Sequence, residues 1–138
     1  MKVDPTFAPA LQGLSKLYLY KGDLKKANEY SIQAVQKDED FRSWASQISK
    51  ITEKIQNGNR NVRKGLYEEA IKEYEMILSE HPYFPDAEFY KGLTRFKQKD
   101  IESAAQHFKN ALVIYPEHKK ARKGLDNVTK QFLNAGNK

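Results

Sequence analysis

Apolar residues recur at spacings of three and four along most of this chain, the periodicity of one side of an α-helix. The runs break at Lys64-Gly65-Leu66, at Lys99-Asp100, and after Pro82 and Pro116. Each run therefore divides into two helical halves, and the pattern predicts helix hairpins. Compared with itself, the chain shows a period of 34, with Gly58 matched to Gly92, Ala70 to Ala104, Tyr74 to Phe108, Leu78 to Leu112 and Pro82 to Pro116. Gly65 aligns with Lys99 at the tight connection. Helices that cross at about 8 Å leave no room for a large side chain. Gly58 with Ala70, and Gly92 with Ala104, supply small residues there, while Tyr74 and Phe108 fill the space beside them. The proline after each second helix cannot continue the helical ladder and closes the unit.

This set of residues, carried by GNRNVRKGLYEEAIKEYEMILSEHP and GLTRFKQKDIESAAQHFKNALVIYP, resembles the tetratricopeptide repeat (TPR) family. The resemblance implies an all-α, right-handed helix-hairpin solenoid. PALQGLSKLYLYKGDLKKANEYSIQAV reads as a divergent first copy, with Tyr18, Gly22, Ala27 and Ala34 in register, Ser15 for the glycine, Ser31 for the aromatic and Glu39 for the proline. The expected organisation is a single domain over 1–138, with repeat 1 at 8–40, repeat 2 at 41–84, repeat 3 at 85–118 and a capping helix at 119–134. Ala27 and Ala70 lie 43 apart rather than 34. Phe41, Trp44, Ile48, Ile51, Ile55, Gly58 and Val62 account for the excess: steps of three and four predict one long amphipathic helix from Phe41 to Lys64, capped by Asp40. Ala121, Leu125, Val128 and Phe132 share one face and predict a terminal helix that covers the last repeat. Val3-Asp4-Pro5 stands where a preceding repeat would close, so the chain is expected to be a piece of a longer array. The second half is also loosely similar to TPR segments of J-domain co-chaperones, but the His-Pro-Asp motif of the J domain is missing.

Composition removes several function classes. Hydrophobic residues are 39% and charged residues 30%, with no apolar run long enough to span a bilayer and no signal-peptide pattern at the N-terminus. There is no cysteine, so no disulfide or thiolate site is expected and the cytoplasm is the default location. No glycine-rich loop is present to cradle a phosphate. His81, His107 and His118 have no carboxylate or second histidine at ligand spacing and are expected on the surface or in loops. Glu68, Glu69 and Glu73 open a helix, where carboxylates meet the helix dipole. No enzyme activity, metal or cofactor is expected.

What remains is surface. The resemblance implies a concave groove lined by first helices: Gln12, Lys16 and Tyr20; Ile55, Gln56, Asn59 and Arg63; Asp86, Phe89, Tyr90, Leu93 and Lys97; and Lys123, Asn127 and Lys130 from the cap. For Phe89 and Leu93 packing against the adjacent repeat is the alternative. Aromatic, apolar and basic groups interleaved in this way suit an acidic peptide or protein with apolar anchors. The chaperone C-terminal carboxylate that some TPR modules grip is disfavoured, since Ile55 stands where a lysine is needed and Tyr90 where a second asparagine is. Of the net charge of +6, the segment Lys119–Lys138 carries +5, six basic residues against Asp126. RNA or other nucleic-acid binding through this segment is the competing reading. It is disfavoured because the cations lie on several helix faces with only Phe132 nearby as a stacking platform.

Overall fold

The computed structural model describes residues 7–136, which form seven α-helices and one 3-10 turn and no strand. In order these are α1 (Ala8–Tyr20), α2 (Leu24–Lys37), the 3-10 turn Glu39–Phe41, α3 (Arg42–Arg63), α4 (Tyr67–Glu80), α5 (Pro85–Lys97), α6 (Ile101–Ile114) and α7 (Lys119–Gly136). Val3-Asp4-Pro5 lies outside the described residues.

The hairpins α1–α2, α3–α4 and α5–α6 turn by one local device. Gly22 and Gly65 have φ of 82° and 77°, and Lys99, the counterpart of Gly65, has φ 64°. The following N–H then reaches back across the last turn: Asp23 to Tyr18 O at 2.8 Å, Leu66 to Asn61 O at 2.8 Å, Asp100 to Arg95 O at 2.9 Å. A left-handed residue here satisfies carbonyls that the helix end would orphan. Asp23 and Asp100 go on to cap α2 and α6, accepting from the backbone N–H of Lys26 at 3.1 Å and Ser103 at 3.2 Å. Leu66 offers no side-chain cap, and Glu68 and Glu69 occupy the first turn of α4 instead. Glycine and cap thus occur together only in the first hairpin.

The long helix forms as the spacing requires, at 22 residues or about six turns. Its start differs from expectation. A 3-10 turn precedes α3 and takes a cap of its own: Asp38 Oδ1 accepts from the Asp40 N–H at 2.9 Å, and Asp40 and Phe41 fall within that turn. The chain has two compact units, residues 1–53 and 54–138, divided inside α3.

In unit 1, Leu11, Leu19, Ala27, Ala34, Ile48 and Ile51 are buried. Ser15, in the glycine position of the repeat, is also buried and fully used: its hydroxyl donates to Ala27 O at 2.6 Å and accepts the Trp44 Nε1–H at 2.8 Å. The aromatic missing at Ser31 is thereby supplied to Ser15 from α3.

Unit 2 is built on rings seated against glycines. A Cβ on Gly58 would stand 2.7 Å from Tyr74 Cζ, and one on Gly92 would stand 2.6 Å from Phe108 Cε1. Phe108 meets a second glycine as well, since a Cβ on Gly124 of α7 would lie 2.8 Å from its Cζ. Both rings are buried, and so are Ala70 and Ala104. Ala121 and Val128 of α7 complete the core with Leu125 half-buried, but Phe132, expected on the buried stripe, is 45% exposed. Val128, one turn before it, is the last buried position on this stripe.

The fold also corrects the expected setting of two histidines. His107 Nδ1 lies 2.9 Å from Glu88 Oε2, and His118 Nε2 lies 2.6 Å from Asp86 Oδ1. These partners are 19 and 32 residues distant in sequence, contacts that only helix crossing and repeat stacking create. Burial pushes the Glu88 carboxyl up, but the hydrogen bond from His107 and the charges of Lys91 and His107, with Asn110, hold it below its ordinary value.

Gly58→Ala is expected to lower stability by about 1–3 kcal/mol, as overpacking a well-filled core does. Gly13→Ala, with nothing within 4 Å of the new methyl, should raise it by about 0.5–1 kcal/mol. Urea denaturation measures both, and equal effects would mean that the Tyr74 ring is free to move aside. Because the Glu88 carboxyl is depressed in the folded state, its contribution is present above the ordinary value of 4.5 and is lost as pH falls through the lower folded value. Glu88→Gln should therefore flatten the acid limb of the stability profile, and an unaltered limb would contradict the assignment.

Candidate functional site

All nine candidate residues (Gln56, Asn59, Arg63, Phe89, Tyr90, Leu93, Lys97, Lys123 and Asn127) lie in unit 2. They come from α3, α5 and α7; apart from the adjacent Phe89 and Tyr90, successive members within a helix are three or four residues apart. At the α3–α4 hairpin the Tyr74 hydroxyl donates to Asn59 Oδ1 at 2.7 Å. The Tyr74 ring stacks on Tyr90 of α5, with centroids 5.6 Å apart and planes at 21°. Tyr90 contacts Phe89 at 5.4 Å, and Phe89 contacts Phe108 at 5.9 Å and His118 at 5.5 Å. Rings therefore touch in series from repeat 2 to the foot of α7.

His118 anchors the far end of this series. Its Nδ1 accepts the Ala121 N–H at 3.0 Å, which caps α7 and places the imidazole proton of the neutral ring on Nε2. Nε2–H then donates to Asp86 at 2.6 Å. With His118 only 5% exposed, the start of α7 is tied to the start of α5.

Burial, and then the neighbouring Tyr90, push the Tyr74 phenol far up; Thr94 and Arg63 pull weakly the other way. The Tyr90 phenol is raised too, by burial first and by the Asp86 charge second, with the Asn59 amide opposing. Both phenols remain protonated donors at neutral pH.

The nine residues do not play one part. Phe89 is 7% exposed and belongs to the core, and Leu93 packs against the same cluster from a half-buried position. The expected groove contact of Phe89 is corrected on that ground: its ring is consumed by Phe108 and His118. Tyr90 and Asn59 are half-buried, while Gln56, Arg63, Lys97, Lys123 and Asn127 are exposed. Among the described residues Arg63, Lys97 and Lys123 form no ion pair, in contrast to Arg95, which holds Glu68 at 2.6 Å, and Lys91, 3.8 Å from Glu75. Gln12, Lys16 and Tyr20 belong to unit 1, where Lys16 Nζ stands 5.3 Å over the Trp44 ring.

Two polar pairings escaped the reading of the sequence. The His118–Asp86 contact leaves no periodic signal. The Tyr74–Asn59 bond leaves one: in the 34-residue register their counterparts are Phe108 and Leu93, so both positions change from polar to apolar together. Among the described residues no group of three or more His, Asp or Glu could hold a metal ion, and no helix is long and apolar enough to cross a membrane.

Residues 86–118 match the family model described as tetratricopeptide repeat. No curated protein matches the chain. Among solved structures it is similar to the Arabidopsis OM64 TPR domain, with 14% identity and a TM-score of 0.55 over 90% of this chain and 95% of that one. It is similar also to the first TPR of Spaghetti (RPAP3), solved bound to the HSP90 peptide SRMEEVD, with 15% identity and a TM-score of 0.55 over 95% of this chain and 97% of that one. At such identities the likeness is one of fold. The chain has the all-α helix-hairpin fold of TPR domains, and its α5–α6 hairpin is a tetratricopeptide repeat.

Proposed function

We propose that the face formed by α3, α5 and α7 in unit 2 binds a protein or peptide partner, and that the chain serves as an interaction scaffold within a multiprotein or chaperone-type assembly. The observation that carries this reading is that, among the described residues, Arg63, Lys97 and Lys123 are exposed cations without ion-pair partners, carried by α3, α5 and α7, with the half-buried Tyr90 on α5. A tyrosine fixed by stacking gives contact area at little entropic cost, and cations left unpaired steer an acidic partner. The partner is an acidic segment with apolar anchors.

The first TPR of Spaghetti (RPAP3) holds an HSP90 peptide. A grip of that kind on a chain terminus is disfavoured here. Ile55, where the resemblance requires a lysine, is buried at 6% exposure, and Tyr90, where it requires an asparagine, is held in the stack on Tyr74. Nucleic acid is disfavoured because the cations of α7 lie on several faces of the helix with Phe132 alone beside them as a stacking surface.

Affinity capture with wild type, Arg63→Glu and Tyr90→Ala tests the reading. Both variants should weaken retention of a partner by roughly tenfold, the scale of a loss of 1–2 kcal/mol at an interface hot spot. Retention of the same partners by both would show that this face is not the site. A labelled oligonucleotide should show no shift at about 150 mM salt.

A further inference from the structure

We infer that unit 1 carries a second binding site, a cleft between the start of α1, the end of α2 and the 3-10 turn, and that it takes an arginine side chain from a basic protein segment. None of its residues belongs to the face proposed above, which lies in unit 2.

The cleft has a volume of about 570 Å³, and its walls are of two kinds. Phe7, Pro9 and Phe41 form the apolar part; Phe7 is 59% exposed and Phe41 half-buried, so both rings keep surface open to an occupant. Lys37, Asp38 and Asp40 form the charged part. Two helix ends meet here, the positive end of α1 and the negative end of α2, and their dipoles oppose. The side chains therefore set the sign, and two carboxylates against one ammonium leave it negative. Glu39, between the two aspartates in sequence, is held by Arg42 at 2.6 Å. Among the described residues Asp38 and Asp40 form no ion pair, not even with Lys37, whose long stem lets its ammonium stand in water. Asp38 spends one oxygen on the Asp40 N–H at 2.9 Å and keeps the other, and the Asp40 carboxylate is exposed.

Charge and shape together select the occupant. A guanidinium is planar and weakly hydrated, so it can lie against a phenylalanine face while its edge donates to acceptors on separate side chains. Its methylene stem has Pro9 to pack on. An ammonium carries the same charge but holds its water more tightly and has no flat face to lay on a ring. The later repeats show that packing alone does not leave such a cleft. In the repeat register Phe84 and His118 are the counterparts of Phe41. They are drawn inward to 2% and 5% exposure, whereas Phe41 keeps a face in solvent. The counterparts of Asp38 and Asp40 are His81 and Tyr83 after α4, and Tyr115 and Glu117 after α6, so the carboxylate pair occurs only at the end of α2.

The test offers immobilised full-length protein three short N-acetylated, C-amidated Gly/Ser peptides that differ only in one residue: arginine, lysine or citrulline, the neutral isostere of arginine. Wild type should retain the arginine peptide about fivefold over the citrulline peptide, with lysine between them. In solution the same arginine peptide should shift the ring-proton resonances of Phe7 and Phe41. Asp40→Asn and Phe7→Ala alter exposed side chains, so their melting temperatures should stay within a few degrees of wild type, yet each should bring the arginine/citrulline ratio close to one. Lys37→Gln removes the cation on the wall and should raise the ratio, an effect that a purely structural role for these residues does not produce. Tyr90→Ala, in unit 2, should leave the ratio as in wild type, which separates this site from the proposed face. Equal retention of arginine and citrulline by wild type, or a ratio unchanged in both Asp40→Asn and Phe7→Ala, would overturn the site. Retention of lysine equal to that of arginine would overturn the choice of a guanidinium.

Discussion

A flat ring seated on a bare Cα is the contact on which unit 2 depends. Gly58 admits Tyr74, and Gly92 with Gly124 admits Phe108, at separations that no Cβ would tolerate. Because the ring occupies the crossing point, it fixes both the distance and the rotation of the paired helices, and with them which residues of α3, α5 and α7 face away from the core. A buried aromatic of this size is worth about 3–5 kcal/mol against truncation. That is a large share of the stability of a small domain. The rest of the unit is arranged around these seats: alanines at the crossings, left-handed residues at the turns, and polar pairs that join successive repeats at their edges.

The candidate face is a by-product of the same geometry. Tyr90 is held by Tyr74, Tyr74 is held by Gly58, and Asn59 is the next residue along α3. Groups that would read a partner are thus attached to the best-packed part of the unit, and their orientation requires no ordering on binding. The exposed cations are different: Arg63, Lys97 and Lys123 stand on flexible stems and supply charge rather than precision.

Much of the fold was legible because repetition doubles every signal. Gly58, Ala70, Tyr74 and Pro82 mean little singly, but their return 34 residues later as Gly92, Ala104, Phe108 and Pro116 identifies a stacked hairpin. The long α3 was legible from its stripe of isoleucines. What periodicity cannot register is contact between unlike positions of different repeats, and there the reading was incomplete. The Asp86–His118 bond, the placement of Gly124 against Phe108 and the use of Trp44 by Ser15 all arise from neighbours in the stack. A 3-10 turn capped by Asp38 stands between Asp40 and the start of α3, and in sequence such a turn imitates the start of a helix. For the candidate face, spacing selected positions on α3, α5 and α7 but could not show that Phe89 would be drawn inward by Phe108 and His118.

The double seating of Phe108 ties together positions that sequence comparison would treat as independent. Neither Gly92 nor Gly124 is free to become alanine while the phenylalanine ring lies between α5 and α7. A smaller side chain at 108 would relax both constraints at once, leaving a gap that two methyl groups could then partly fill. Tolerance at the two glycines is therefore conditional on a third site, a case of non-additivity among residues in mutual contact. Descendants of this sequence can leave the glycine pair only by passing through a change at Phe108, and the order in which those substitutions arrive is set by the packing.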